Sequence, residues 1–250
     1  MLVQLLAAFP QFADAGDLPL HGFARTCLWH VVSAHHGQPG TSITLGLSDS
    51  AQTRAVWPHK FELLYTVTLT PLAISFQLEA TNTDTTAWSF TGCIHTYLRF
   101  TDTKVVELHG FGGTQFVDKC DGRKVKMQDE GAVITAESAS AASGTAAGKK
   151  GFVDRIYLNS PTECEVRLKG VGNTKTLYHV QQSASYPDTT LYNPWTGDKL
   201  GGAAAGLDFD EDGYQHMFCV EPTVNEPISV GPGKMWVGCQ QIALADPHVP

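Results

Sequence analysis

The chain has 250 residues, 42% of them hydrophobic, which suffices for the core of one domain, and it carries a formal net charge of -8. With a sequence pI near 5.6, the overall field repels nucleic-acid backbones and anionic membrane surfaces, so neither is expected as a main partner. The six cysteines, Cys27, Cys93, Cys120, Cys164, Cys219 and Cys239, form no CxxC unit that would mark a zinc or redox centre, and reduced thiols in a cytoplasmic protein are the expectation.

The apolar opening MLVQLLAAF lacks the positive start of a signal peptide and reads as a strand entered midway, so preceding strands are expected to be missing. A turn over residues 16–19 leads to HGFAR (21–25), a strand-like CLWHVV and a loop AHHGQPG, in which His35 and His36 read as solvated. KFELLYTVTLT (60–70) and ISFQLEATN (74–82) both alternate with the period of two of a half-buried strand. Joined at Pro71-Leu72 and followed by TNTDTT, they predict an antiparallel meander whose third strand is WSFTGCIHTYLRFT (88–101).

Shorter strand-like pieces follow: KVVELHG, GFVDRIYL, CEVRLKG, TLYHVQQ, HMFCVE and MWVGCQQI, punctuated by Gly, Pro, Asn and Asp. No amphipathic helix of normal length lies between them, and no run approaches the roughly 20 apolar residues of a membrane span. The pattern predicts one all-β domain over 1–250, an antiparallel β-sandwich or barrel. Residues 135–151 are of low complexity and are expected to form a flexible surface insertion, as GGAAAG (201–206) is to form a loop.

In residues 88–101 the apolar face is Trp88, Phe90, Ile94, Leu98 and Phe100, while His95, Tyr97 and Arg99 project from the other. The core does not need His95, and an imidazole with an intrinsic pKa of about 6.5 can give or take a proton near neutrality. In MFCVEP the same alternation puts Met217, Cys219 and Glu221 on one face and Phe218 and Val220 on the other, with Pro222 expected to end the strand. Taken singly, His95 reads as a half-buried hydrogen-bonded histidine and Glu221 as a surface glutamate. Taken together, they form an acid/base pair able to act on two sides of a small substrate.

Other motifs fail on chemistry. LDFDEDG offers Asp208, Asp210, Asp212 and Gly213 in calcium-loop order, but its twelfth position is Cys219 rather than a bidentate glutamate. HGFGG (109–113) lacks the GxGxxG spacing, and there is no GxSxG elbow.

HGFAR, GCIHTYLRF, FVDRIY, YNPW and MFCVEP occur in an order and spacing that resembles the glucose-6-phosphate 1-epimerases, the hexose-6-phosphate mutarotases of the aldose 1-epimerase group, over residues 9–242. The resemblance implies a galactose-mutarotase-like sandwich with a concave sheet face that holds the sugar. It implies Glu221 as the base that takes the anomeric proton and His95 as the acid that protonates the ring oxygen, a charged state expected to be favoured by burial and a nearby negative charge. Arg25 matches the arginine that contacts the substrate phosphate, Asp154 the aspartate that accepts from a sugar hydroxyl, with His21 and Trp195 lining the pocket.

The implied partner is a small sugar phosphate and the implied protein a monomer; because only protons move, no metal and no organic cofactor is implied. Two departures stand out: Leu20 replaces a glutamine before HGFAR, and no arginine precedes Arg25 where the family has a second phosphate ligand. These leave open a mutarotase for unphosphorylated aldoses, or a sugar-binding protein impaired in catalysis.

Overall fold

The computed structural model describes residues 4–38, 40–136, 153–170, 174–193 and 213–245. Along the chain run β1 (Gln4–Ala8), β2 (His30–His36), β3 (Thr41–Ser48), the helix α1 (Ala51–Val56), β4 (Phe61–Leu69), β5 (Ala73–Asn82) and β6 (Trp88–Arg99). Then come β7 (Val106–His109), β8 (Gln115–Asp118), β9 (Lys124–Met127), β10 (Val153–Tyr157), β11 (Glu163–Lys169), β12 (Thr174–Gln182), β13 (Asp188–Asn193), β14 (Met217–Val230) and β15 (Met235–Leu244). No helix among the described residues is long and apolar enough to cross a membrane.

The strands form two antiparallel sheets, one ordered β1-β6-β14-β13-β10-β8-β9 and the other β2-β3-β4-β5-β15-β12-β11-β7. Phe61, Leu63, Phe76, Leu78 and Ala80 from the second sheet share one buried cluster with Phe90, Ile94, Leu98, Leu191, Phe218 and Val220 from the first. Each such large side chain removed from water contributes about 1.5–3 kcal/mol, so the alternation read along the sequence becomes an antiparallel β-sandwich.

Three local expectations are corrected. β4 and β5 do pair as a hairpin, but β6 is not the third strand of their meander: β5 pairs on its other side with β15, and β6 lies in the opposite sheet between β1 and β14. Crossing between layers lets the apolar faces of β5 and β6 bury each other, which adjacency in one sheet cannot do. β2 includes the AHH expected in a loop, as an exposed edge strand. Pro222 does not end its strand; it continues through Val230, pairing with β13 at Thr189. A proline is tolerated here because the β6–β14 ladder skips Val220 to Pro222 and resumes at Thr223, so no bond to β6 asks for its missing N–H.

The segment ahead of β2 is fixed by close backbone approach. Gly22 has a φ of +69°, and a Cβ there would lie 2.2 Å from the Phe9 carbonyl oxygen; Phe23 and Ala24 both donate their N–H to that oxygen, at 3.1 and 3.2 Å. Phe9 is fully buried among the rings of Phe23, Trp57, Phe61, Trp88 and Phe90. The HGFAR turn is thus clamped to the sandwich beside β6.

Candidate active site

Antiparallel pairing places opposite residues on one face of a sheet. Asp154 pairs with Tyr192, Tyr192 with Cys219, and Cys219 with Tyr97, so β10, β13, β14 and β6 lay these four side chains in a row across the first sheet. In the neighbouring row Thr190 pairs with Glu221, and the β6–β14 register, continued through its gap, sets Glu221 opposite His95. This face points away from the shared core, as expected for both residues.

His95 Nδ1 and Glu221 Oε1 are 3.1 Å apart, with both residues buried. The approach falls off the hydrogen-bonding directions, and among the described residues neither atom has a hydrogen-bond partner. Two buried polar atoms left unsatisfied cost free energy that a bound hydroxyl or ring oxygen would recover. The other carboxylate oxygen accepts from the Cys93 thiol at 3.5 Å, and the His95 ring stacks on Tyr97 with centroids 4.6 Å apart.

Burial pushes the Glu221 carboxyl up to about 8, against the opposing effects of the Cys93 thiol and Lys119. Burial likewise holds His95 well below the usual imidazole range, helped by His21, Arg25 and Lys119. The expectation that burial favours a charged imidazole is therefore reversed, since a low-dielectric site penalises the cation. Both shifts favour a neutral imidazole beside a protonated carboxyl, a pair that holds one proton.

His21 caps the pair from the HGFAR turn. Its ring lies 5.3 Å from that of His95 and its Nδ1 accepts the Ala13 N–H at 3.3 Å; burial first, then Arg25 and Lys119, lower its pKa to about 4. Arg25 stands exposed at the rim, close enough to bias both histidines.

Asp154 is in the same row, but its partner is not the adjacent Arg155, which points to the other face over the Phe116 ring. Lys119 pairs with Asp154 at 2.9 Å, and its charge reaches His21, His95, Glu221 and Asp154. Burial raises the Asp154 carboxyl, and Lys119 opposes that rise. Lys119 begins a 3-10 turn after β8, held where fully buried Asp118 accepts from the Cys120 N–H and pairs with Lys126. Nothing local in FVDKC marks Lys119; only the β8–β10 pairing brings it to the site. Trp195, the acidic loop Asp208, Asp210 and Asp212, residues 201–206 and most of the 135–151 insertion lie outside the described residues.

The family model for aldose 1-epimerase matches residues 6–243. A Cenchrus ciliaris protein named "Putative glucose-6-phosphate 1-epimerase" is 30% identical over 245 residues, covering 94% of this chain and 67% of its own length. An Escherichia coli (strain K12) protein of the same name is 29% identical over 85% of this chain and 64% of its own length, so the chain spans about two thirds of these relatives. The crystal structure of a "putative mutarotase" from Salmonella typhimurium superposes with a TM-score of 0.77 at 25% identity, covering 96% of this chain and 73% of that one. A "galactose mutarotase related enzyme" from Lactobacillus acidophilus shares the fold at a TM-score of 0.69. With the family model matched over nearly its whole length, the chain belongs to the aldose 1-epimerase family.

Proposed function

We propose that the protein interconverts the α and β anomers of a hexose 6-phosphate, with glucose 6-phosphate the preferred substrate. The observation that carries the reading is the buried His95–Glu221 pair, whose facing Nδ1 and Oε1 atoms are 3.1 Å apart and have no hydrogen-bond partner among the described residues. Glu221 takes the proton from the anomeric hydroxyl while His95 gives one to the ring oxygen, and the bond between the anomeric carbon and the ring oxygen breaks. The aldehyde turns about its bond to the neighbouring carbon; reclosure with both transfers reversed yields the other anomer.

Ring opening moves the pair from imidazolium and carboxylate to imidazole and carboxylic acid. Burial favours the second arrangement, which matches the open-chain intermediate. The phosphate dianion adds the negative charge that draws His95 toward the imidazolium needed at the start. Exposed Arg25 suits that phosphate, since its guanidinium can hold two oxygens at once. Lys119 and Asp154 form the polar edge beside Tyr192, where sugar hydroxyls find both a donor and an acceptor.

Polarimetry on freshly dissolved α-glucose 6-phosphate, beside free glucose and galactose, tests the reading. Accelerated equilibration of the phosphate ester, lost in Glu221→Gln, supports it. Acceleration of the free sugars alone would transfer the reading to unphosphorylated aldoses, and acceleration of none would leave a binding protein.

A further inference from the structure

We propose that the His95–Glu221 site is also a site for a borderline-soft divalent cation of the zinc class, ligated by His95, Cys219 and Glu221. The Nδ1 or Nε2 of His95, the Sγ of Cys219 and a carboxylate oxygen of Glu221 lie within 4.8 Å of one another, and all three residues are buried. Ligands bonded to zinc at about 2.0–2.3 Å stand roughly 3.5 Å apart in a tetrahedron, so a small rotamer closure brings them onto one ion.

The second observation concerns the hydrogen bonding of these atoms rather than their spacing. His95 Nδ1 and Glu221 Oε1 are buried and have no hydrogen-bond partner among the described residues. Unpaired lone-pair atoms on an imidazole and a carboxylate, beside a thiol, form the mixed nitrogen, oxygen and sulfur set that zinc accepts and that calcium and magnesium, which want oxygen alone, do not. Cys219 and Glu221 are held by alternation on the same face of β14, and His95 by its place opposite on β6. The rigid sheet therefore presets the donors.

Charge allows occupation. The Lys119 ammonium nearby is paired with Asp154, which offsets part of the positive charge that Lys119 and Arg25 direct at the site, and a thiolate and a carboxylate among the ligands offset the charge of the ion. On binding, the Cys219 thiol loses its proton to solvent, as does the Glu221 carboxyl where it holds one, and neutral His95 ligates through a ring nitrogen; nothing is oxidised or reduced. The cation would occupy both proton carriers, so it would compete with the sugar; this inhibitory consequence rests on the proposed mutarotase reading, whereas binding itself does not.

Cobalt(II) titration of the wild-type protein, followed by absorption, reads the site directly. The expected result is a saturable thiolate-to-cobalt charge-transfer band with tetrahedral visible bands at one metal per chain, displaced by zinc. Cys219→Ser removes the charge-transfer band, Glu221→Gln weakens binding by more than about tenfold, and Cys27→Ser and Cys239→Ser leave the band in place. No saturable band in the wild type, or a band that survives Cys219→Ser, overturns the proposal. If Cys219→Ser fails to fold, unchanged cobalt affinity in Glu221→Gln does the same. An enzyme that equilibrates anomers yet shows no band sinks the cation site alone, and one that binds cobalt but moves no anomer sinks the mutarotase reading alone.

Discussion

His95 on β6 and Glu221 on β14 stand opposite each other, 3.1 Å apart, in a stretch where the ladder between these strands is interrupted. Strands on either side fix both backbones: Leu6 pairs with His95 and Thr190 with Glu221. The two side chains therefore meet through sheet register rather than through flexible loops.

Removing either member should slow turnover steeply while leaving the fold intact. Glu221→Gln and His95→Asn are expected to slow anomer equilibration by about 10²–10⁴-fold, the usual weight of a positioned acid or base. Polarimetry beside circular dichroism checks both halves of the statement.

The pH dependence follows from the directions of the two shifts. Below the lowered pKa of His95 the pair holds two protons, above the Glu221 value of about 8 it holds none, and between them it holds the single proton that ring opening passes across. The rate on free enzyme should form a bell with its alkaline limb near 8 and its acid limb well below 6.5. A flat profile across that interval would contradict the assignment.

Lys119→Met removes a positive charge that lowers both His95 and Glu221. Both limbs of the bell should move to higher pH, and KM should rise because Asp154 loses its partner. A purely structural lysine would lower stability without moving the limbs.

Arg25→Ala should raise KM for the phosphate ester by about tenfold or more, the loss of one charge-assisted contact of roughly 1.5–3 kcal/mol. Rates on free glucose should change little, and an equal effect on both substrates would remove Arg25 from the phosphate subsite.

Gly22→Ala forces a Cβ to within 2.2 Å of the Phe9 carbonyl oxygen at a φ of +69°. A destabilisation of about 1–3 kcal/mol is expected, with a lower Tm by calorimetry and reduced activity as the HGFAR turn, with His21 and Arg25, moves off β6.

What could be read from the chain was what alternation encodes. The faces of β6 and β14 were legible because Trp88, Phe90, Ile94 and Leu98, and Phe218 with Val220, mark the core side and leave His95, Cys219 and Glu221 on the other. The layer of β6 was not legible, because alternation fixes which side of a strand is buried and is silent about its neighbours. Lys119 escaped for a related reason: it follows a four-residue strand and reaches the site through the pairing of β8 with β10. Pro222 misled because its missing N–H falls where the ladder is already open. The charge state of His95 needed its burial, a tertiary property.

The row Asp154, Tyr192, Cys219 and Tyr97 draws one residue from each of four adjacent strands that are far apart in sequence. No fragment can assemble it, and an unfolding step that detaches one of these strands dismantles the whole constellation. Catalysis should vanish in denaturant together with the loss of the sheet, making turnover a sensitive gauge of complete folding.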